Sequence, residues 1–231
     1  MIDRTQPVAD LVLQHSECAE VFQRNRIDFC CRGEMPIEEA AKARSLDVDK
    51  LVGELEAAVA SSASRGGQGI DPQALSTGAL TEYIVSKHHE YLRRTLPFVQ
   101  MLANKVQRVH GDHNPKLRDL AVVVNELVDS LLPHMDDEEQ TLFPTLGDKA
   151  SDKTKLRDLL DAMYAEHLEV SELLTRARAA TDDYAVPDWG CNSYRTLFSE
   201  LEKVEKDLFT HVHLENHVLR PRGMASSAPS A

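Results

Sequence analysis

Apolar residues recur along the chain at the three- and four-residue spacing of amphipathic helices, and the alternation typical of β-strands is absent. Glycine and proline cluster between the periodic segments. Three shorter helices are predicted at 9–25, 36–44 and 47–60, and four longer ones at 77–110, 114–143, 153–180 and 190–218. Four long helices with short connections are typical of an antiparallel up-down bundle. The pattern therefore predicts an all-α protein with a four-helix bundle and a small N-terminal helical domain.

A change in composition after the third helix indicates where the domains meet. Residues 61–69 are rich in Ser and Gly and carry little apolar surface, which is typical of a linker. We predict a small helical domain at 1–60, a linker at 61–76, the bundle at 77–220 and a flexible tail at 221–231. Pro97 lies inside the first long helix and is expected to kink it, because proline removes a backbone donor.

Polar residues interrupt the apolar stripe of each long helix. The first and third helices carry one histidine on the stripe, and the second and fourth carry a histidine followed four residues later by a glutamate. These residues are His89, His134, Glu138, His167, His211 and Glu215. Residues four apart face the same side of a helix, so each His-x-x-x-Glu pair can hold one ion. Burying such groups without a compensating charge costs several kcal/mol, which favours a metal cation inside the bundle.

The spacing from the first bundle turn places two of these histidines at one level. His89 lies 22 residues before Gly111, and His134 lies 20 residues after Asn114, so each is about 30 Å from the shared turn. The corresponding counts across the other two turns agree less well. The alternative interpretation is a set of ordinary core histidines, but all four helices would then have to place one on the buried stripe by accident.

The ligand types indicate which metal the bundle holds. Six ligands are too many for a tetrahedral zinc site and include too much carboxylate for a blue-copper site. Imidazole and carboxylate suit iron or manganese, and a glutamate can bridge two ions through its two oxygens. We therefore interpret the pattern as a carboxylate-bridged di-iron centre.

Composition and charge exclude several other classes of function. The chain of 231 residues has 38 acidic and 26 basic side chains, a formal charge of −12, which argues against binding to nucleic acid or to anionic membranes. No apolar run approaches a membrane span, and the first residues do not resemble a signal peptide, so we expect a cytoplasmic protein. Four cysteines in a chain of this length do not indicate a disulfide framework, and reduced thiols are expected.

Short motifs accompany the six candidate ligands. They are Asp28-Phe29-Cys30-Cys31-Arg32-Gly33, Leu96-Pro97, Glu138-Glu139-Gln140, Leu142-Phe143-Pro144, Glu166-His167 and Leu214-Glu215-Asn216. With these motifs the chain resembles, over nearly its whole length, the Repair of Iron Centres family, the hemerythrin-like di-iron proteins of the YtfE and ScdA type. The resemblance implies a hemerythrin-like bundle in which the same six residues bind two iron ions, bridged by the two glutamates and by an oxo or hydroxo group.

The resemblance also implies a function. Members of the family are implicated in repairing iron-sulfur clusters damaged by nitrosative or oxidative stress, with nitric oxide binding or reduction and iron donation at the di-iron centre. Nitric oxide or dioxygen would be the small ligands, and damaged iron-sulfur proteins the partners. The alternative is a protein that binds, senses or sequesters these gases without repair. Enzymatic activity and a homodimeric state are left open, and a ferritin-like oxidase is disfavoured because such proteins use Glu-x-x-His pairs.

The adjacent thiols of Cys30 and Cys31 are candidates for a redox or iron-transfer role. They lie in a predicted turn, where we expect access to solvent. The family often has glycine where this chain has Arg32, and a cation beside a thiol favours the thiolate. The alternative is a tight turn with incidental thiols. Beside the proposed ligands, Glu139 and Glu166 are expected to support them or to line a path.

His88 could substitute for its neighbour His89 as a ligand, but a shift of one residue rotates the side chain by about 100° towards a flank of the bundle, so His89 is preferred. The other histidines are interpreted as ordinary polar residues. They are His15, His110, His113, His213 and His217.

Overall fold

The computed structural model describes residues 1–65, 71–148 and 150–227, and no strand occurs in these ranges. They form two compact units. The first comprises Met1–Ser76 and Phe209–Pro221, and the second comprises Thr77–Leu208 and Arg222–Ala231. None of the described helices combines the length and hydropathy that a membrane span requires.

Four helices make up the N-terminal part of the first unit. They are α1 (Val8–Gln14), α2 (Cys18–Arg24), α3 (Ile37–Ala43) and α4 (Val48–Arg65). Their inward faces share one core with Phe29, which lies between α2 and α3. The core includes Leu11, Phe22, Phe29, Ile37 and Leu55, each no more than 1% exposed. A short 3₁₀ turn, Pro72–Ala74, follows in the same unit.

The segment 9–25, which the sequence predicted as one helix, forms two helices, α1 and α2. An unbroken helix would continue the stripe of Val8 and Leu11 through His15 to Phe22, but Val21 would point about 140° away from it. The break after Gln14 lets the apolar residues of both α1 and α2 enter the core.

The second unit contains the bundle. Its helices are α5 (Thr77–Ile84), α6 (Glu90–His110), α7 (Lys116–Asp137), α8 (Phe143–Gly147), α9 (Lys153–Thr181) and the first part of α10 (Asn192–Leu214). The last helix, α11 (Arg220–Ser227), begins in the first unit and ends in the second.

Side-chain contacts join the four long helices in a ring. The pairs are Asn104 with Asn125 between α6 and α7, Glu126 with Arg176 between α7 and α9, Arg178 with Glu205 between α9 and α10, and Ser193 with Lys105 between α10 and α6. Residue numbers rise along one member of a pair as they fall along its neighbour. On α6 and α7, for example, Asn104 meets Asn125, and Arg93 meets Asp136. The bundle is therefore antiparallel with up-down topology.

Three single π-helical turns interrupt the α-helical geometry at candidate ligands. They are Val85–His89 before α6, Glu138–Leu142 before α8 and Glu215–Leu219 before α11. A π turn holds one extra residue, and such turns occur frequently at functional sites. Apolar periodicity did not predict them, because an added residue changes the phase of the stripe without interrupting it.

The predicted linker and tail coincide with helix over part of their length. Helix α4 continues to Arg65, and α11 extends through Ser227. Residues 66–70 of the predicted linker and 228–231 of the predicted tail lie outside the described residues. The domain boundaries remain a prediction. Pro97 lies inside α6, and a second proline, Pro133, lies inside α7.

Candidate metal centre

Four of the six candidate ligands meet inside the second unit. His89 comes from the π turn before α6, His134 from α7, Glu138 from the π turn after α7, and His167 from α9. Each is at most 5% exposed. The ligand atoms of His134, Glu138 and His167 all lie within 4.8 Å of one another.

The two carboxylate oxygens of Glu138 face different histidines. Its Oε2 lies 3.4 Å from Nε2 of His89. Its Oε1 lies 3.4 Å from Nε2 of His134 and 4.0 Å from Nε2 of His167. Glu138 thus presents one oxygen to His89 and the other to His134 and His167. A ligand that bridges two ions requires this arrangement.

These contacts leave Glu138 short of partners. Neither of its oxygens accepts a hydrogen bond from the part of the chain that the structure describes. A buried carboxylate in this condition is costly unless a cation compensates its charge. Nε2 of His134 and Nε2 of His167 are also only 3.1 Å apart, a distance at which two imidazoles share a proton or bind the same cation. The donor set therefore fits a metal ion.

Acidic side chains hold the outer nitrogens of two of these histidines. Nδ1 of His89 donates to Glu139 over 2.8 Å, and Nδ1 of His134 donates to Glu166 over 2.5 Å. Each bond favours the tautomer in which the lone pair of Nε2 can serve as a metal ligand. Each glutamate therefore contacts a candidate ligand on another helical segment and not its neighbour in sequence, and the expected supporting role remains a prediction.

Both supporting carboxylates are held in the charged form. Burial alone would raise the pKa of Glu139, but hydrogen bonds from Arg93 and His89 outweigh it and lower the pKa. The hydrogen bond from His134 lowers the pKa of Glu166. Nη2 of Arg93 lies 2.9 Å from Glu139, and its Nη1 lies 2.6 Å from Asp136. The Arg93 guanidinium therefore holds in place the carboxylate that accepts from His89.

The other His-x-x-x-Glu pair belongs to the first unit. His211 ends its stripe near the C-terminus of α10, and Glu215 opens the π turn that follows. They are 1% and 0% exposed, and Nε2 of His211 lies 3.0 Å from Oε1 of Glu215. Their membership in the same centre as the other four remains a prediction.

The thiols of Cys30 and Cys31 are buried, each 4% exposed, so the expectation of free access to solvent is wrong. The physical reason is the turn itself, since Ile27 and Phe29 on either side of Asp28 enter the core. Burial, followed by the hydrogen bond with Cys31, raises the pKa of the Cys30 thiol well above its usual value. The expected preference for thiolate is therefore also wrong for Cys30, and Arg32 is exposed.

A single carboxylate oxygen organises this turn. Oδ1 of Asp28 accepts the backbone N–H groups of Cys30 and Cys31 over 2.9 and 2.8 Å, and it accepts the Cys30 thiol over 3.1 Å. The two sulfur atoms lie 3.6 Å apart. Ligand atoms of all three side chains lie within 4.8 Å of one another, so the group forms a second candidate metal-binding cluster.

Three residues that the sequence left unassigned hold the same turn by its carbonyls. Nδ1 of His213 donates to the Phe29 carbonyl over 3.1 Å. The Cys30 carbonyl accepts from Nδ2 of Asn216 over 3.0 Å and from Nε2 of His217 over 2.8 Å. Burial, with a smaller effect of His217, lowers the pKa of His213 to about 4. In the sequence, the four-residue spacing of His213 and His217 was the one feature that indicated a shared role for these side chains.

Comparison with known proteins decides the family. The sequence model described as the hemerythrin HHE cation-binding domain matches residues 80–222, which is more than half of the chain. The chain belongs to the hemerythrin family. The matched range contains all six candidate ligands, and the fold is an all-α hemerythrin-like bundle with a small N-terminal helical domain. The N-terminal residues 4–59 match a second family, ScdA_N, a domain of unknown function.

Several curated proteins resemble the chain over nearly its whole length. The iron-sulfur cluster repair protein YtfE of Enterobacter sp. (strain 638) is 32% identical over 227 residues, which cover 97% of this chain and 99% of that protein. The iron-sulfur cluster repair protein ScdA of Staphylococcus epidermidis is 30% identical and covers 95% of this chain and 98% of its own. YtfE of Yersinia pseudotuberculosis is 32% identical, with 96% and 97% covered.

Proposed function

We propose that this chain repairs iron-sulfur clusters damaged by nitrosative or oxidative stress, using a di-iron centre in its hemerythrin domain. The observation that carries the proposal is Glu138, a buried carboxylate whose two oxygens face separate histidines and accept no hydrogen bond from the described residues. The similar YtfE and ScdA proteins are named iron-sulfur cluster repair proteins, which supports the assignment to repair.

The proposed centre combines the four ligands of the second unit with the pair on the fourth long helix. The full set is His89, His134, Glu138, His167, His211 and Glu215. Four imidazoles and two carboxylates offer more ligand atoms than one ion needs, and carboxylates that use both oxygens suit a pair of iron ions. Helix α10 carries Leu208 and His211 on one stripe, three residues apart, which supports the inward direction of the second pair.

Bound iron would supply redox chemistry and affinity for nitric oxide or dioxygen at this site. The surrounding residues orient the imidazoles that would bind the iron. Glu139 and Glu166 keep the proton of each imidazole on Nδ1, so that Nε2 remains a ligand. Phe143 stacks on the ring of His89 at a centroid distance of 5.8 Å and limits its movement.

We further propose that Cys30 and Cys31 accept or pass iron that the protein delivers as cargo, together with Asp28. Thiolates and a carboxylate within 4.8 Å form a suitable transient site. Burial keeps the Cys30 thiol protonated, and iron binding must displace that proton. This step therefore requires the turn to open. While the turn is closed, burial protects the thiols from oxidants until a partner binds.

Metal content provides the first test. Full-length protein reconstituted anaerobically with Fe(II) should hold two iron ions per chain and show a visible absorption band on oxidation. The Glu138→Ala variant should lose at least one of the two ions, while Glu169→Ala, which changes an exposed carboxylate on α9, should keep both. Equal iron content in the wild type and Glu138→Ala would contradict the proposed ligand set.

Repair of a damaged cluster separates the proposed function from its alternative. An iron-sulfur dehydratase inactivated by nitric oxide should recover activity in the presence of the wild-type chain. His134→Ala should abolish recovery by losing iron, and the Cys30→Ser, Cys31→Ser double variant should abolish it while retaining iron. Undiminished repair by both variants would reject the proposal. Nitric oxide binding without any recovery would favour a sensor or sequestering protein.

A further inference from the structure

A thiol and an imidazole meet at the end of the bundle that the proposed metal centre does not use. Nε2 of His110 lies 3.2 Å from Sγ of Cys191, and both residues belong to the second unit. Cys191 is exposed, whereas Cys18, Cys30 and Cys31 are buried. His110 follows the ligand His89 by 21 residues along the π turn and α6, or about 30 Å of helix.

Aromatic side chains hold the imidazole beside the thiol. The ring of His110 contacts Trp189 at a centroid distance of 5.7 Å and Tyr194 at 5.9 Å. Trp189 is 43% exposed, and Trp189 and Tyr194 also line an open cleft of about 260 Å³. Tyr194 is only 1% exposed, so the indole of Trp189 is the aromatic surface beside the His110–Cys191 pair against which a small molecule can pack.

Cys191 immediately precedes α10. The backbone N–H of Arg195 donates to the Cys191 carbonyl over 3.0 Å, the first hydrogen bond of α10. Residues 77–208 contain no other cysteine, so Cys191 has no disulfide partner within its own unit. A thiol with an adjacent base and no disulfide partner within its own unit is suited to reaction with an external sulfur compound.

We propose that Cys191 is a modification site that forms a mixed disulfide by exchange with low-molecular-weight disulfides. Nε2 of His110 accepts the Sγ proton as the sulfur attacks one sulfur of the incoming disulfide. The new S–S bond forms as the original one breaks, and the leaving thiolate takes the proton from the imidazolium. Cys191 is oxidised, one half of the small disulfide is reduced to a thiol, and excess thiol reverses the reaction.

The test uses oxidised glutathione as the probe on the iron-loaded, full-length chain. Peptide mapping by mass spectrometry should place the mixed disulfide on Cys191, and Cys191→Ser should abolish it. His110→Gln should slow its formation about tenfold or more, because the thiol loses its base. The control is His15→Gln, which changes a histidine of the first unit, and it should leave the rate unchanged.

Three results would overturn the proposal. The first is an unchanged rate in His110→Gln with circular dichroism like that of the wild type. The second is modification chiefly at Cys30 or Cys31. The third is a disulfide between two chains through Cys191 in place of the mixed disulfide. The test measures only the site and rate of disulfide formation. A negative result would therefore not contradict the proposed iron centre.

Discussion

At the scale of single residues, the candidate centre depends on side chains that do not themselves bind metal. The carboxylate of Glu166 is 48% exposed, yet it accepts the Nδ1 proton of a histidine whose side chain is 4% exposed. Glu139 does the same for His89 and is in turn held by Arg93. A half-exposed carboxylate, Glu166, and a partly buried one, Glu139, thus set the tautomers of two buried candidate ligands.

The Glu166→Ala variant should lower iron affinity about 10- to 100-fold, because His134 loses the partner that orients its ring. Competition with a chelator of known affinity measures this change. Glu169→Ala on the same helix is the matched control, and it should bind iron like the wild type. Identical affinities for the two variants would show that Glu166 does not position the ligand.

The pH dependence of Cys30 alkylation should differ between the folded and unfolded chain. Burial raises the pKa of Cys30, so its thiolate fraction at neutral pH is smaller in the folded state than in urea. In the folded protein the alkylation rate should therefore continue to rise well above pH 9, while in the unfolded protein it should level off near the ordinary thiol value of about 8.5. Quantitative mass spectrometry of the alkylated peptide measures both curves. Coincident curves would contradict the burial.

At the scale of elements, two neighbouring ion pairs on α9 contribute unequally to the bundle. Arg178 pairs with Glu205, which is 2% exposed, through both Nε and Nη2. Arg176 pairs with Glu126, and both of these side chains are about half exposed. Burial raises the pKa of Glu205 and the hydrogen bond from Arg178 opposes that rise. The buried pair is costly to break because the remaining carboxylate cannot reach water.

Replacing Arg178 by Met should lower the free energy of unfolding by about 3–5 kcal/mol at neutral pH, because it leaves the Glu205 carboxylate without its cation. The loss should shrink as the pH falls, since the raised pKa means that the folded state takes up a proton on Glu205 more readily than the unfolded state does. Urea denaturation at two pH values measures the effect. Arg176→Met, the control, should cost about 0–1 kcal/mol.

A second change tests whether the loss comes from the unpaired charge. Adding Glu205→Leu to Arg178→Met should recover much of the stability, because no buried carboxylate remains. No recovery in the double variant would mean that packing of the arginine stem, and not its charge, is responsible.

At the scale of the whole molecule, the N-terminal helices are not complete by themselves. Residues Phe209–Pro221, near the other end of the chain, belong to the same compact unit. Phe209 packs against Phe29 at a centroid distance of 5.5 Å, and Asn216 and His217 both donate to the Cys30 carbonyl. The thiol turn is therefore closed by the segment that carries the candidate ligands His211 and Glu215.

Removing that closure should expose the thiols. In an Asn216→Ala, His217→Ala double variant, two hydrogen bonds worth about 1 kcal/mol each are lost, so alkylation of Cys30 and Cys31 should accelerate about tenfold or more. His15→Ala, which changes the residue after α1 in the same unit, is the control and should alkylate like the wild type. Iron content measured alongside shows whether Glu215 is disturbed. Unchanged alkylation in the double variant would show that other contacts keep the turn closed.

The sequence predicted the fold class and the bundle, but it did not predict where helices break or gain a residue. The all-α class and the bundle followed from apolar periodicity, and Glu139 and Glu166 were expected to support ligands because they are next to them in sequence. The break after Gln14 and the π turn at Glu138 were not predicted, since both change the phase of a stripe by a residue or two without changing its composition. The role of the six residues as iron ligands remains a prediction.

By itself, the sequence determined which residues face inward on each helix, because the 3.6-residue repeat is a local property of the backbone. It therefore singled out His89, His134 and Glu138 as polar groups within apolar stripes. Only the tertiary structure decided that Cys30 is buried and that Asn216, 186 residues away, holds its carbonyl. Such contacts depend on where distant segments pack, and neither adjacency nor periodicity records that.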